Sequence, residues 1–259
     1  MPRSSAQGSK RRNQLANLLK AQENVSTSEL ANRFQVSEMT IRRDLKQLQN
    51  EGIALPYYGG ALAAQRITFE FEFDVSHRTH LAQKKRIART AASQVKARQT
   101  LFLDTGTTTL ELAKSLAQSD VEMTVITASL VIASELWARG NIRLQLLGGQ
   151  VRGGNPDLAG PLTEIMLERL TADVAFLGSD GVDPERGSFA SDVETARIAE
   201  RMGACSKQTI VICDSSKLGR TGAVRCLKID EIDMLITDKG ANASLVRQLT
   251  DRRVKVKRA

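Results

Sequence analysis

The chain has 259 residues, a formal net charge of +8 and 41% hydrophobic residues, a composition typical of a folded globular protein. No stretch approaches the roughly 18 to 20 apolar residues of a membrane-spanning helix, and the polar N-terminus lacks the apolar segment of a secretory signal. Three cysteines without a CxxC pair or a Cys/His cluster argue against a disulfide framework. We therefore expect a cytoplasmic protein with no membrane partner, no metal and no cofactor.

The positive charge is concentrated at the two ends of the chain. Residues 1–60 carry nine lysines and arginines against five acids, residues 61–251 carry 23 against 24, and residues 252–259 carry five against none. The first end is therefore the expected contact with a polyanion. The last end, RRVKVKR, alternates valines with cations, which is typical of a final strand with a solvated basic face; a second contact with nucleic acid is the alternative.

Three helices are expected in the first fifty residues. Residues 11–20 carry leucines on one stripe and form the first helix. Ser26 and Glu29 have the spacing of a capping box, so a second helix starts there. Gln35-Val36-Ser37 is the whole connection to the third helix, for which Ser37 is a good N-cap. Two helices joined by so short a turn are typical of DNA-binding proteins, in which the second helix enters the major groove.

The third helix combines a narrow apolar seam with a basic outer face. Ile41, Leu45 and Leu48 recur at the spacing of one helix face. An isolated basic helix is more often a solvated surface helix, but the neighbouring helix and the segment that follows favour DNA binding here. We assign base reading to the residues at the helix start and contact with phosphates or guanine edges to the cations. The predicted contacts are Ser37, Glu38, Met39, Thr40, Arg42, Arg43 and Lys46.

The segment GIALPYYGGAL, which follows the third helix, predicts a wing. Ile53–Leu55 and Tyr57–Tyr58 are expected to pair as a small ribbon, with Gly59-Gly60 supplying a tight exit. Tyr57 of this ribbon is included among the predicted DNA contacts. Residues 1–62 are therefore predicted to form a winged helix-turn-helix DNA-binding domain.

Residues 63–83 break this pattern and are expected to form a linker, with a short strand at Thr68–Phe73. From Lys84 onward helical segments alternate with short apolar runs, which predicts a mainly parallel sheet covered by helices on both faces. Residues 84–259 are therefore expected to form an α/β domain. Its expected helices are 84–95, 109–117, 130–138, 162–170, 193–205 and 243–249, and its expected strands are 101–103, 123–127, 142–147, 174–178, 209–213 and 234–237.

Polar residues gather after four of these strands, at the edge where parallel sheets bind ligands. Asp104 and the run Gly106-Thr107-Thr108-Thr109 follow the first strand and open a helix, which makes a phosphate cradle. Taken alone, such a turn is more often only a helix start. Without a GxxxxGK[ST] motif, nucleotide hydrolysis is not expected.

The four strand ends together predict a site for a small polyhydroxylated anion. Carboxylates can accept hydrogen bonds from sugar hydroxyls, while lysines and backbone amides can hold a phosphate. The predicted site, which also takes in two cations near the start of the 84–95 helix, comprises Arg78, Lys84, Asp104, Gly106, Thr107, Thr108, Thr109, Gly149, Arg152, Asp180, Asp214 and Lys217.

The chain resembles the DeoR family of bacterial transcription regulators over nearly its full length. The motifs that carry the resemblance are ELANRFQVSEMTIRRDLKQLQNEG with a following GGA, then KKRIA at Lys84–Ala88, LDTGTTT at Leu103–Thr109, LLGG at Leu146–Gly149, FLGSDGVD at Phe176–Asp183, DSSK at Asp214–Lys217 and ITD at Ile236–Asp238. The resemblance implies a winged helix-turn-helix joined to a sensor domain related to ribose-5-phosphate isomerase and CoA transferases. It also implies a repressor of a sugar-catabolic operon that releases DNA when a sugar phosphate binds.

Some positions depart from the family pattern. Family wings often read Arg-x-His before GGA, and the matching positions here are Pro56 and Tyr58; Ala128 stands where many relatives carry Asn. An alternative function is a sugar-phosphate isomerase or hydrolase with Asp180 as the base, but we expect a regulator and not an enzyme. A purely architectural DNA-binding protein would not explain the polar strand ends.

The expected partners are double-stranded operator DNA, a phosphorylated sugar and further copies of the chain. A single winged helix makes a small contact with DNA, whereas paired half-sites repeat that contact. We therefore expect a homo-oligomer whose subunits meet through the sensor domain.

Overall fold

The computed structural model describes residues 25–50, 54–57, 60–63, 71–152 and 155–259, together with residues 11, 12, 14, 15 and 18. The chain divides into two compact units, Met1–Glu72 and Phe73–Ala259. Within the described ranges, no helix is both long and apolar enough to cross a membrane.

The first unit is built on two helices, α1 (Thr27–Phe34) and α2 (Glu38–Asn50). Residues 11, 12, 14, 15 and 18 are also helical, as expected for a preceding helix. The predicted capping box is confirmed: Ser26 Oγ accepts from the Glu29 amide at 3.1 Å, and Glu29 Oε2 accepts from the Ser26 amide at 3.1 Å. The core of the unit consists of Leu15, Leu30, Ala31, Ile41, Leu45 and Leu48.

The first unit also contains a three-stranded antiparallel sheet, of β1 (Val25–Ser26), β2 (Ala54–Tyr57) and β3 (Gly60–Ala63), in the order β1-β3-β2. A ribbon was predicted here, but its predicted strands were wrong. Tyr57 pairs with Gly60 and Leu55 pairs with Leu62, so Gly60 opens the second strand instead of leaving the ribbon. The physical reason is that the ladder runs over four residues of each strand, from Ala54 with Ala63 to Tyr57 with Gly60, so Gly60 takes part in the pairing.

The second unit alternates helices and strands. Its helices are α3 (Phe71–Arg78), which starts two residues before the division between the units, α4 (Leu81–Ala92), α5 (Thr107–Leu116), α6 (Leu130–Leu136), α7 (Pro161–Glu168), α8 (Val193–Ala204) and α9 (Ala243–Asp251). Its strands are β4 (Thr100–Leu103), β5 (Met123–Thr127), β6 (Ile142–Leu146), β7 (Gln150–Val151), β8 (Leu158–Ala159), β9 (Val174–Leu177), β10 (Gly181–Asp183), β11 (Gly187–Ala190), β12 (Thr209–Ile212), β13 (Val224–Leu227), β14 (Met234–Thr237) and β15 (Lys255–Arg258).

The centre of the second unit is a seven-stranded sheet in the order β15-β14-β12-β9-β4-β5-β6, and every neighbouring pair is parallel. One hydrophobic cluster packs α4, α5 and α6 on one face, and a second cluster packs α7, α8 and α9 on the other. The predicted fold class, a winged helix-turn-helix followed by a mainly parallel α/β domain, is confirmed. The predicted last strand, residues 252–259, is present as β15 at the sheet edge.

The strand order reverses between β4 and β9. From β4 the chain adds β5 and β6 on one side, and then returns to place β9, β12, β14 and β15 on the other. In an open parallel sheet, such a switch point leaves a crevice outside the carboxyl ends of the two central strands, and ligands bind there.

Two features of the second unit were not predicted. β10, β11 and β13 form a separate antiparallel sheet, and β7 pairs with β8. In addition, Phe71–Arg78 and residues 81–83 of the expected linker are helical, with a turn at Thr79 and His80. The strand expected at Thr68–Phe73 is therefore wrong for Phe71–Phe73; residues 68–70 lie outside the described part. Phe73 packs against the α4–α6 cluster and stacks on His77, four residues later in α3, a contact that requires a helix.

Candidate functional site

The outer face of α2 carries the residues predicted to contact DNA. Ser37 Oγ accepts a hydrogen bond from the Thr40 amide at 3.3 Å, as expected for an N-cap, and the inner face is buried in the core. Thr40 is half-buried, and the side chain of Tyr57 lies outside the described part. The other predicted contacts, Ser37, Glu38, Met39, Arg42, Arg43 and Lys46, are exposed.

The turn before α2 is fixed by backbone hydrogen bonds. Gln35 adopts the left-handed conformation with φ of 51°, and the Val36 amide donates to the Ala31 carbonyl at 3.1 Å. The chain therefore reverses within three residues, and α2 packs on α1 with its basic face outward.

Two acidic residues shape the charge of α2. Glu38 pairs with Arg42 at 3.4 Å on the exposed face. Asp44 is buried and lies 2.6 Å from Arg11 and 3.8 Å from Arg12, so it ties the preceding helical residues to α2. We did not single out Asp44 from the sequence, although an acid on an otherwise basic helix is a detectable signal.

In the second unit, Asp104, Gly106 and Gly178 lie at the switch point between β4 and β9. Asp104 follows β4, and its Oδ2 accepts from the Gly178 amide at 2.9 Å, just after β9. The two segments that follow β4 and β9 approach closely here, because a Cβ placed on Gly106 would lie 3.8 Å from the Cα of Gly178. Where β4 and β9 end, the crevice is therefore lined by the backbone of Gly106 and Gly178 and by the carboxylate of Asp104.

Asp104 has an incomplete set of hydrogen bonds. It is 3% exposed, and its Oδ1 has no partner among the described residues. Burial raises the pKa of Asp104 to about 6; the amides of Thr105 and Gly178 oppose this shift, and the carboxylates of Asp157 and Asp180 add to it. A buried oxygen without a partner costs free energy, which a donor on a ligand would recover.

The start of α5 lies directly after Asp104. Gly106 is its N-cap and offers no side chain, so the first amides of this ten-residue helix form its positive end without a side-chain acceptor from the cap. Thr107 and Thr108 are buried. Thr109, which is also part of the predicted site, donates from its Oγ1 to the Gly106 carbonyl at 2.6 Å.

Lys84 is the buried cation of this region. It is 4% exposed, and its ammonium donates to the carbonyl of Ser76 in the last turn of α3. Burial lowers the pKa of Lys84; the carboxylates of Asp214 and Glu111 counter this shift, and the ammonium of Lys217 adds to it. Lys84 is therefore electrostatically linked to the end of β12.

The segment after β12 holds a second lysine in a defined place. Asp214 caps the 3-10 turn Ser215–Lys217, since its Oδ1 accepts from the Ser216 amide at 3.0 Å. Lys217 then lies 3.8 Å from Oδ1 of Asp180, whose Oδ2 accepts from the Ser191 amide at 3.0 Å. Both side chains of this long ion pair are partly exposed, so the lysine is accessible to an anion.

Other predicted ligand residues have different roles in this structure. Arg152 forms a two-pronged ion pair with Asp157, with both N–O distances 2.7 Å, and a third contact with Asp192 at 2.8 Å. Burial alone lowers the pKa of Arg152, but these carboxylates outweigh it and raise the pKa. Gly149 packs against Thr163, since a Cβ there would lie 2.1 Å from Thr163 Oγ1. Arg78 is exposed at the end of α3.

A charged cluster between α3 and α5 was missed from the sequence. The carboxylate of Glu111 is 3% exposed, and its Oε1 lies 2.7 Å from both His77 Nε2 and Lys114 Nζ. Burial raises the pKa of Glu111, and the hydrogen bonds from Lys114 and His77 overcome this and lower it. Glu111 and Lys114 have opposite charges at i and i+3 of the helix TTTLELAKSL, and this spacing was the available signal.

Together, an exposed basic helix in a helix-turn-helix and a polar crevice at a sheet switch point define a DNA-binding regulator with a ligand-sensing domain. Comparison with known families supports this class: residues 11–66 match the DeoR-like helix-turn-helix domain, and residues 79–239 match the DeoR C terminal sensor domain. The chain belongs to the DeoR family, and it is a transcriptional regulator and not an enzyme.

Several characterised and uncharacterised regulators are similar over almost the whole chain. The HTH-type regulator YulB of Bacillus subtilis is 35% identical and covers 95% of both chains. A putative aga operon transcriptional repressor of Escherichia coli O157:H7 is 32% identical over 96% of this chain and 93% of its own. The glycerol-3-phosphate regulon repressor of Escherichia coli K12 is 30% identical over 95% of this chain and 97% of its own. Among solved structures, ribose 5-phosphate isomerase A of Methanocaldococcus jannaschii matches 52% of this chain and 53% of its own, with 18% identity and a TM-score of 0.40.

Proposed function

We propose that the protein is a cytoplasmic repressor of a carbohydrate-catabolic operon. In this proposal, residues 1–62 bind double-stranded operator DNA, and residues 84–259 bind a phosphorylated sugar that causes release. Residues 63–83 join the two, and the chain acts as a homo-oligomer. Two relatives named as repressors, of the aga operon and of the glycerol-3-phosphate regulon, support the proposal of a repressor.

The observation that carries the ligand proposal is the set of cations, amides and carboxylates at the strand ends. The ammonium groups of Lys84 and Lys217 and the first amides of α5 are donors for a phosphate. The carboxylates of Asp104 and Asp180 are acceptors; one oxygen of Asp104 has no partner in the described chain, and Asp180 lies 3.8 Å from Lys217. A phosphate would bind to the donors, and the hydroxyls of its carbon chain would donate to the carboxylates.

A thermal-shift screen tests the ligand class. Phosphorylated sugars should raise the melting temperature of the full chain, and the corresponding free sugars should not. A ligand at about one hundred times its Kd stabilises the native state by about 2.7 kcal/mol, which is readily measured. Stabilisation by free sugars and phosphorylated sugars alike would count against a phosphate site.

The variant Lys217→Ala should still bind operator DNA but should require at least about tenfold more of the identified sugar phosphate for release, since a charge-assisted contact is lost. A mobility-shift titration measures this. Lys239→Ala is the matched control, because Lys239 is an exposed lysine that also follows a strand of the same sheet. Release at the wild-type concentration in Lys217→Ala would remove this residue from the site.

A further inference from the structure

Three contacts of α3 with the rest of the second unit lie close together on this helix. Phe73 packs into the cluster formed by α4, α5 and α6. His77 contacts the buried carboxylate of Glu111 at 2.7 Å. The third contact is the ammonium of Lys84, which donates to the backbone carbonyl of Ser76. All three lie within one and a half turns of a short helix.

The position of α3 in the chain gives these contacts a wider importance. The helix comprises Phe71–Arg78, and the division between the two compact units falls inside it, after Glu72. Only residues 64–70 separate it from β3 of the first unit. The chain therefore passes from the first unit to the second within α3, and a change in the stability of α3 is a change at this point of the chain.

Lys84 serves two regions at once. Ser76 belongs to the last turn of α3, whose carbonyls have no intrahelical amide, so the ammonium of Lys84 acts as a cationic cap for that helix end. Lys84 also belongs to α4, which packs against α5 and β12, the elements next to the strand-end crevice, and the charges of Asp214 and Lys217 after β12 influence its pKa. Because Lys84 is 4% exposed, water does not substitute readily for the Ser76 carbonyl.

We propose that Lys84 couples occupancy of the strand-end crevice to the stability of α3. When the crevice is empty, the ammonium caps the end of α3 at Ser76. A bound phosphate oxygen is a stronger acceptor than a neutral carbonyl, so the ammonium moves toward the ligand and the end of α3 loosens. This inference rests on the proposed function, since it needs an anion in the crevice.

The ligand-free part of the inference is tested by hydrogen exchange on the full chain. Lys84→Met keeps the length and apolar stem of the side chain and removes the ammonium, so peptides covering residues 71–78 should exchange at least tenfold faster. Lys85→Met is the matched control, since Lys85 is the exposed neighbour on the same helix and should leave exchange unchanged. Unchanged exchange of residues 71–78 in Lys84→Met would overturn the inference, provided that α9 remains as protected as in the wild type.

Wild-type protein with inorganic phosphate provides a second test that does not depend on the folding of a variant. Phosphate should slow exchange in the first turn of α5 and speed exchange in residues 71–78. Slower exchange in α5 with no change in residues 71–78 would reject the coupling and keep the ligand site. If phosphate leaves α5 unchanged, the proposed ligand class fails, and Lys84→Met still decides whether Lys84 holds α3.

Discussion

A carboxylate that is buried and only partly hydrogen-bonded is unfavourable unless it has a function. Asp104 receives the Gly178 amide on one oxygen and has no partner for the other among the described residues. Its neighbours include the acids Asp157 and Asp180, which make ionisation still less favourable. Leaving such an oxygen unpaired costs about 1–3 kcal/mol, so selection for packing alone would not favour an aspartate here.

The raised pKa of Asp104 predicts the direction in which stability changes with pH. Its folded-state pKa is about 6, against 3.8 for an ordinary aspartate, so the folded state binds the proton more tightly than the unfolded state. The contribution of Asp104 to the free energy of unfolding should therefore fall as the pH rises from about 4 to above 6, by about 3 kcal/mol. In Asp104→Asn this contribution is absent, so wild type should lose more stability than the variant over that range.

Urea unfolding at about pH 4 and about pH 7.5, followed by circular dichroism, measures this difference. Asp120→Asn is a suitable control because it removes an exposed carboxylate from the same unit. If wild type and Asp104→Asn lose equal stability between the two pH values, the pKa of Asp104 is not raised in the folded state.

At the scale of elements, α2 has the properties of a recognition helix. Its inner face is buried with Leu15 and Leu30, and its N-terminus is capped by Ser37. On the outer face Arg42 is paired with Glu38, whereas Arg43 and Lys46 make no ion pair within the described chain. A cation with no intramolecular partner can contact DNA without first losing a salt bridge.

Arg43→Ala should weaken operator binding at least about tenfold without unfolding the protein, since a lost contact with a base or phosphate costs about 1–3 kcal/mol. If Arg43 neutralises a phosphate, the slope of log affinity against log salt should also become less steep by about 0.9. Mobility shifts at several salt concentrations measure both quantities. Arg169→Ala, an exposed arginine at the end of α7, is the control. Wild-type affinity in Arg43→Ala would show that α2 does not use this residue.

The elements that were predictable from the sequence are those whose local pattern agrees with their final surroundings. The buried strands and amphipathic helices of residues 84–259 were placed with ends that differ by at most three residues. The capping box at Ser26 fixed the start of α1, because this signal depends only on residues close in sequence.

The elements that were missed depend on distant contacts. The sequence TFEFEF alternates as a strand would, yet Phe71–Arg78 is helical because of tertiary contacts. Phe73 packs against the cluster of α4, α5 and α6, and His77 contacts Glu111, 34 positions away. β10 and β11 are short and begin with glycine, so no apolar pattern marks them. The dual position of Lys84 likewise depends on tertiary packing, since its partner Ser76 lies on a different helix and Asp214 follows a strand far along the chain.

For the whole molecule, the small size of the DNA-binding unit limits what one copy can achieve. Its described elements present one helix, α2, and one short hairpin, β2 and β3, to a partner. A single module of this kind buries too little surface for tight and specific binding, which is why such regulators use two half-sites on one face of the duplex. The proposed homo-oligomer therefore has a geometric consequence for the operator.

Sequences selected from a random DNA pool by the full chain should contain a repeated motif whose copies are separated by about 10–10.5 base pairs or a multiple of this spacing. Inserting about five base pairs between the copies rotates one half-site to the opposite face of the duplex and should lower affinity at least about tenfold. Inserting about ten base pairs returns the half-site to the original face and should restore much of the lost affinity. The two insertions together distinguish an effect of helical phase from an effect of distance. Equal binding to a single motif and to the repeat would mean that one copy of α2 and its hairpin suffices, and the need for a homo-oligomer would disappear.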